Sequence, residues 1–307
     1  MQTFIGKLLA ACLFLAPILA HAQLDVVTTT SDLAAIARAV GGDAAKVESL
    51  TNGASNPHFA EAKPSMIRRV SRADALFVVG AGLEIGWLPP LLENARNPKV
   101  LPGAPGYLDL STSVELLDKR AGPVSRAEGD VHAQGNPHYW LDPRNGARMA
   151  QAMAERLANL DAKNAEAYRA RAQAFARDMD ARLPAWRAAL AALKDKPVLA
   201  YHTSFAYLAQ AFDFRIVDQV EPKPGIPPNA AHLSHLVQRI KELKIPLLLA
   251  EPYYERRSAE YLSAQTGIKA AIVPASVGAD ARIQDYPALF DAIVAAIVQS
   301  GALGSRR

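Results

Sequence analysis

The chain has 307 residues, half of them hydrophobic, and a formal net charge of +4 at pH 7. This small positive surplus, with no run of lysine or arginine, argues against nucleic acid as a partner. Cys12 is the single cysteine and lies in a segment predicted to be removed. The mature chain is therefore expected to contain neither disulfides nor cysteine-ligated zinc.

The first 22 residues have the pattern of a cleavable secretory signal peptide. Lys7 gives a positive start, an apolar core follows, and Ala20-His21-Ala22 forms a small-x-small cleavage site before Gln23. The apolar core is too short to span a bilayer, which takes about 20 residues. Apolar sequence also continues past Cys12, which argues against a lipoprotein. A mature periplasmic protein beginning at Gln23 is predicted.

Strands and helices alternate through a first lobe, predicted for residues 23–163. Strands are predicted at 24–29, 47–50 and 75–79, and helices at 33–40 and 64–72. A further helix precedes Lys99-Val100-Leu101, and this apolar segment is interpreted as one more strand. Residues 116–134 lack periodicity and predict an exposed loop. Asp142-Pro143 then marks a helix start, because the carboxylate can cap a helix whose first residue is proline.

A long helix, predicted for residues 164–195, connects this lobe to a second one at 196–307. Its apolar positions recur every three or four residues, and Pro184 is expected to bend or break it. The second lobe repeats the pattern, with strands at 198–201, 215–217, 247–250 and 271–273 and helices at 205–212 and 257–265. The predicted fold class is α/β: two lobes, each a mostly parallel sheet flanked by helices, joined by a rigid backbone helix.

Three histidines stand where the backbone can aim them. His58 and His138 end two copies of Asn-Pro-His, and proline stiffens the chain on either side of itself. His202 follows a predicted strand of the second lobe. Neutral imidazole is a good ligand for divalent zinc, so we predict one metal site that these three histidines share between the lobes.

The fourth ligand is less evident. Glu251 follows the strand that ends at Ala250, so it could ligate the metal directly or contact a histidine, and Glu61 is a weaker candidate. His232, His235 and Asp280 are interpreted as solvated. Asp130 and His132 lie in the predicted exposed loop, where they could bind metal transiently, although a solvated position is favoured.

Three functions are compatible with such a site. A metal receptor needs only the histidines, whereas a zinc hydrolase would add an open water position. The sequence has no Gly-x-Ser-x-Gly elbow, no phosphate-binding glycine loop and no His-Glu-x-x-His helix, and it offers no placed general base. An adhesin or a metal-buffering protein is the third alternative.

The chain resembles the metal-specific solute-binding proteins of the cluster A-I type, the zinc and manganese receptors of ABC importers. The resemblance covers essentially the whole mature chain and rests on these segments: Val26-Val27-Thr28-Thr29, Gly41-Gly42-Asp43, Asn56-Pro57-His58 with Glu61 and Pro64-Ser65, Ala73-Asp74-Ala75-Leu76, Gly82-Leu83-Glu84 with Trp87, the segment from Asn136 to Pro143, and the segment from Tyr201 to Leu208.

The resemblance implies that His58 and His138 come from the first lobe and His202 from the second. Relatives often add an aspartate after the last strand of the second lobe, where this chain has Ala275, and some zinc members have a glutamate where Pro57 stands. Three imidazoles without a certain carboxylate favour Zn(II) over Mn(II), which prefers more oxygen ligands. The expected protein is a monomeric, non-enzymatic receptor that delivers its metal to an ABC permease in the membrane.

Overall fold

The computed structural model describes residues 23–120 and 132–303. The expected signal peptide and most of the 116–134 loop lie outside the described residues. Over the two described ranges, no helix is both long enough and apolar enough to cross a membrane.

The first lobe is built on a four-stranded parallel sheet. Its strands are β1 (Leu24–Thr28), β2 (Ala45–Ser49), β3 (Ala75–Val78) and β4 (Tyr107–Asp109), in the order β2-β1-β3-β4. The connecting helices are α1 (Ser31–Gly41), α2 (Pro64–Arg72) and α3 (Leu88–Ala95). Four residues of β3 are all buried, as expected for a central strand covered on both faces.

One predicted strand of this lobe is wrong. Lys99-Val100-Leu101 lies at the end of a short 3-10 turn, Pro98–Val100, and the fourth strand comes later, at β4. The turn forms because Pro98 fixes its φ angle and the Asn97 side chain accepts a hydrogen bond from the Lys99 amide at 3.1 Å. Local capping therefore outweighs the apolar character of the segment.

Two helices connect the first sheet to the second. Helix α4 (Pro143–Leu160) begins as predicted, with the Asp142 carboxylate accepting from the Arg144 amide at 2.9 Å. Helix α5 (Ala165–Ala189) contains 25 residues, about 37 Å at 1.5 Å per residue. It continues through Pro184 rather than ending there. A short 3-10 turn, Ala191–Leu193, then leads into the second lobe.

The second lobe repeats the architecture of the first. Strands β5 (Pro197–Ala200), β6 (Arg215–Gln219), β7 (Leu247–Ala250) and β8 (Lys269–Ile272) form a parallel sheet in the order β6-β5-β7-β8. Its helices are α6 (Ala206–Ala211), α7 (Ala230–Leu243), α8 (Arg257–Thr266) and α9 (Tyr286–Gln299). The two-lobed α/β fold predicted from the sequence is thereby confirmed, whereas the exact lobe boundaries stay a prediction.

The lobes share buried contacts beside the connecting helices. A continuous cluster of buried apolar side chains includes Phe77 of the first sheet, Met153 of α4 and Phe290 of α9. Trp140 donates from Nε1 to the carbonyl of Ala275 at 2.8 Å, which joins the first lobe to the second. Because close-packed interiors resist deformation, these contacts favour a nearly fixed relation between the lobes.

Candidate metal centre

The first Asn-Pro-His segment forms a capped turn. Pro57–Phe59 is a single 3-10 turn, and the Asn56 side chain accepts from the His58 amide at 3.0 Å. Trp87 donates from its indole nitrogen to the Pro57 carbonyl at 3.1 Å. These bonds fix the backbone on both sides of His58, whose side chain is buried while its neighbour Phe59 is exposed.

The second Asn-Pro-His segment uses the same cap and adds a bond to the imidazole. Asn136 Oδ1 lies 3.0 Å from the His138 amide and 2.8 Å from Nδ1 of His138. Since an amide oxygen only accepts, Nδ1 carries the proton and Nε2 carries the lone pair. The Asn136 amide also donates to the Thr203 carbonyl at 2.9 Å, so the second lobe helps to hold this loop.

His202 lies two residues beyond the end of β5 and is held by a buried carboxylate. Its Nδ1 lies 2.7 Å from Glu221 Oε2, and both side chains are almost completely buried. Glu221 also accepts from the Gly225 amide at 2.9 Å. Sequence reasoning missed Glu221, although it lies just beyond the carboxyl end of β6, the same kind of position that made Glu251 a candidate.

The three predicted histidines meet in one cluster. Each of His58, His138 and His202 offers a ring nitrogen, and these nitrogens all lie within 4.8 Å of one another. Nε2 of His58 and Nε2 of His138 are 3.0 Å apart. The segments that carry them are 80 and 64 residues apart in sequence, so only the fold brings them together.

Burial favours the neutral form of two of the three imidazoles, His58 and His138. Burial, followed by the nearby His202 and His132, holds the pKa of His58 well below its usual range. Burial and then His58, His202 and His132 do the same to the pKa of His138. Neutral rings with buried lone pairs are what a divalent cation needs from histidine, and they require no proton release before the metal binds.

The two candidate carboxylates lie outside this cluster. Glu251 is fully buried and accepts a short hydrogen bond from the Ser204 hydroxyl, but its other oxygen, Oε2, has no hydrogen-bond partner in the described part of the chain. Burial raises the pKa of Glu251. Glu61 is exposed. Ala275, at the position where relatives have an aspartate, is buried and contributes its carbonyl to Trp140.

His132 is placed differently from the sequence prediction. It was expected in solvent, but its ring stacks on His58 with centroids 5.2 Å apart and an interplanar angle of 30°. Burial, and then the neighbouring His202, lowers the pKa of His132 to about 4. Nothing in the local sequence signals this stacking on His58, because it depends on contacts between His132 and the first lobe.

The other predicted solvated residues behave differently from His132. His235 has a side chain 57% exposed, and Asp280 is exposed and pairs with Arg282 at 2.9 Å. His232 is half-buried on α7 and contacts the Gln219 carbonyl at 3.0 Å. Asp130 lies outside the described residues. None of the three described residues joins the histidine cluster.

Two sheet-and-helix lobes on a helical spine, with histidines from both lobes meeting between them, define a metal-binding solute receptor. The family model described as "Zinc-uptake complex component A periplasmic" matches residues 26–300, and the chain belongs to this ZnuA family. Its members are solute-binding proteins of ABC transporters rather than enzymes, which removes the hydrolase alternative.

Individual relatives are distant but extend over most of the chain. The high-affinity zinc uptake system protein ZnuA of Brucella abortus is 25% identical over 315 residues, covering 92% of each chain. The zinc-binding lipoprotein AdcA of Streptococcus pneumoniae is 26% identical over 257 residues, covering 83% of this chain, which spans about half (50%) of the length of AdcA. A solved structure titled "Crystal structure of ZnuA" superposes with a TM-score of 0.75 at 23% identity, covering 91% of this chain and 99% of that one; it supports the fold.

Proposed function

We propose that this protein captures Zn(II) outside the cytoplasm, between its two lobes, and delivers it to an ABC permease. The observation that carries the proposal is the buried cluster of His58, His138 and His202, with ring nitrogens within 4.8 Å of one another. Three imidazoles leave one position of a zinc tetrahedron to a further ligand or to water. The two relatives described above are both named as zinc proteins, which supports the same metal.

The chemistry of the donors favours zinc over manganese. Imidazole suits zinc, whereas manganese prefers carboxylate, carbonyl and water oxygens in a larger coordination shell. Glu251 and Glu61, the two carboxylates that the sequence offered as a fourth ligand, lie outside the histidine cluster. A manganese receptor of the same family is the alternative, and metal competition decides between the two.

The proposal includes where the protein works and how its chain is divided. Residues 1–22 would be removed as a signal peptide, leaving a periplasmic monomer. The first lobe would comprise residues 23–163, the linking helix 164–195 and the second lobe 196–307. The buried contacts between the lobes favour release through small shifts or loop movements rather than wide hinge closure.

Thermal unfolding with and without metal tests the site. A ligand present at 100 times its Kd stabilises the folded state by about 2.7 kcal/mol, which for a protein of this size raises Tm by roughly 4–5 °C. Zinc should produce this shift in the wild-type protein and in the surface control His235→Ala, whereas His138→Ala should lose it. Equal shifts in all three proteins would contradict the assignment, and a larger shift with manganese at equal concentration would favour the alternative metal.

A further inference from the structure

His132 presents a buried lone pair that nothing in the described structure uses. The His132 ring hydrogen-bonds to the backbone of Gly82, and a Cβ built on Gly82 would lie 3.1 Å from Nδ1 of His132. The proton therefore belongs on Nδ1, and the lone pair on Nε2. Nε2 is buried and has no hydrogen-bond partner among the described residues.

A buried acceptor without a hydrogen-bond donor or a cation beside it lowers the free energy of unfolding. Leaving a polar group buried without a partner costs free energy, so most such groups in folded proteins have a partner, an ordered water or an ion. Here the unpaired nitrogen belongs to a ring stacked on His58, 5.2 Å between centroids. A cation held by the neighbouring triad is a partner of the right chemistry.

The other donors around the cleft are less suited to complete the triad. Glu61 is exposed, and Ala275 has no side-chain donor. Glu251 is the closest rival, because its Oε2 is also buried without a partner. Its other oxygen is held by Ser204, however, whereas the His132 ring stacks directly on His58.

The space around His132 leaves its ring room to turn. A small cavity of about 60 Å³ borders His132, Asn136 and Thr203. A larger pocket of about 650 Å³ shares Asp118 and Thr203 with it and reaches His202. The small cavity beside His132 thus adjoins a pocket that reaches the cluster at His202 and is large enough to admit a hydrated ion.

We propose that His132 is the fourth ligand of the captured metal. Its ring, which stacks on His58, would turn about its side-chain torsions so that Nε2 joins the three other histidines as a donor to the ion. The inference rests on the proposed function, since it adds a ligand to that site. The ion would then be bound by four imidazoles and no carboxylate, an arrangement that favours zinc over manganese.

The experiment combines zinc competition titrations with X-ray absorption spectroscopy of the zinc-loaded full chain. His132→Ala should weaken zinc binding about 10- to 100-fold. The ion exchanges an imidazole for water, and binding no longer provides a partner for the buried Nε2 of His132. The zinc spectrum should require four imidazoles in the wild type and three imidazoles plus one oxygen in the variant. His235→Ala is the matched control, and Tm of each metal-free variant checks that it folds.

Separate outcomes test the ligand and the proposed function. His132→Ala with wild-type affinity and an unchanged spectrum would overturn the role of His132 while leaving the triad intact. A Glu251→Gln variant that loses the fourth donor, while His132→Ala keeps it, would also overturn the proposal in favour of the carboxylate. Zinc binding that survives His138→Ala would instead contradict the proposed function itself.

Discussion

Glu221 orients His202 through a hydrogen bond to Nδ1 of its ring. Replacing Glu221 should therefore weaken zinc binding without removing a ligand. The 2.7 Å bond from Nδ1 of His202 to Glu221 fixes the tautomer with the proton on Nδ1. The lone pair on Nε2 then points away from Glu221, and the carboxylate holds the ring in this orientation. Because both side chains are almost completely buried, water cannot replace the carboxylate without moving the surrounding chain.

The expected size of the effect follows from this role. Partners that orient a ligating histidine typically contribute about 10- to 100-fold to metal affinity, or about 1.4–2.7 kcal/mol. Glu221→Ala should show the full loss, because it also leaves the Gly225 amide without its acceptor. Glu221→Gln keeps an oxygen that can accept from Nδ1 and loses only the charge, so its affinity should fall by less than about tenfold.

A competition titration against a chromophoric zinc chelator measures both variants. The tautomer of His202 can be read from long-range ¹H–¹⁵N spectra, and it should become mixed in Glu221→Ala but not in Glu221→Gln. Glu242, exposed on α7, supplies the control variant Glu242→Ala. Wild-type affinity in Glu221→Ala, with an unchanged His202 spectrum, would refute the reasoning.

Two further predictions concern stability without metal. Burial raises the pKa of Asp32 to about 7 from an ordinary value of 3.8. The contribution of Asp32 to the free energy of unfolding is therefore greatest below pH 4, and roughly 4 kcal/mol of it is lost as the pH rises to about 7. Urea unfolding of Asp32→Asn should show a correspondingly flatter pH dependence than the wild type. Gly146→Ala should destabilise the protein by about 1–3 kcal/mol despite alanine's higher helix propensity, because the new Cβ would lie 2.3 Å from the buried Tyr286 ring; a rise in unfolding free energy would contradict this.

The contacts between the lobes bear on how the metal is released. The Trp140 bond to Ala275 and a 2.8 Å bond from the Val277 amide to Asp32 both cross from one lobe to the other. Wide opening would break such buried bonds, each of which is costly to leave unmade. Small shifts that leave these bonds intact therefore suit the proposed release better than wide opening.

Local sequence determined much of the fold. Helix α2 runs from Pro64 to Arg72, as predicted, because proline at its first position and a polar face specify both its start and its amphipathic character. Strand β7 likewise matches the predicted 247–250, since an unbroken apolar run is typical of a strand buried on both faces. The capped start of α4 after Asp142 also follows from adjacent residues.

Within the candidate site, the sequence by itself identified the three histidines but not the residues around them. His58 and His138 were predicted because proline and asparagine next to each one stiffen and cap its backbone, which is a local property. His132 has no such local signal, and the position of Glu221 after β6 does not by itself show which histidine it contacts. Their roles depend on a bond across 19 residues to His202 and on a ring stacked on His58, 74 positions away in the chain. Those contacts exist only once the sheets and helices have packed, so the tertiary structure alone decided them.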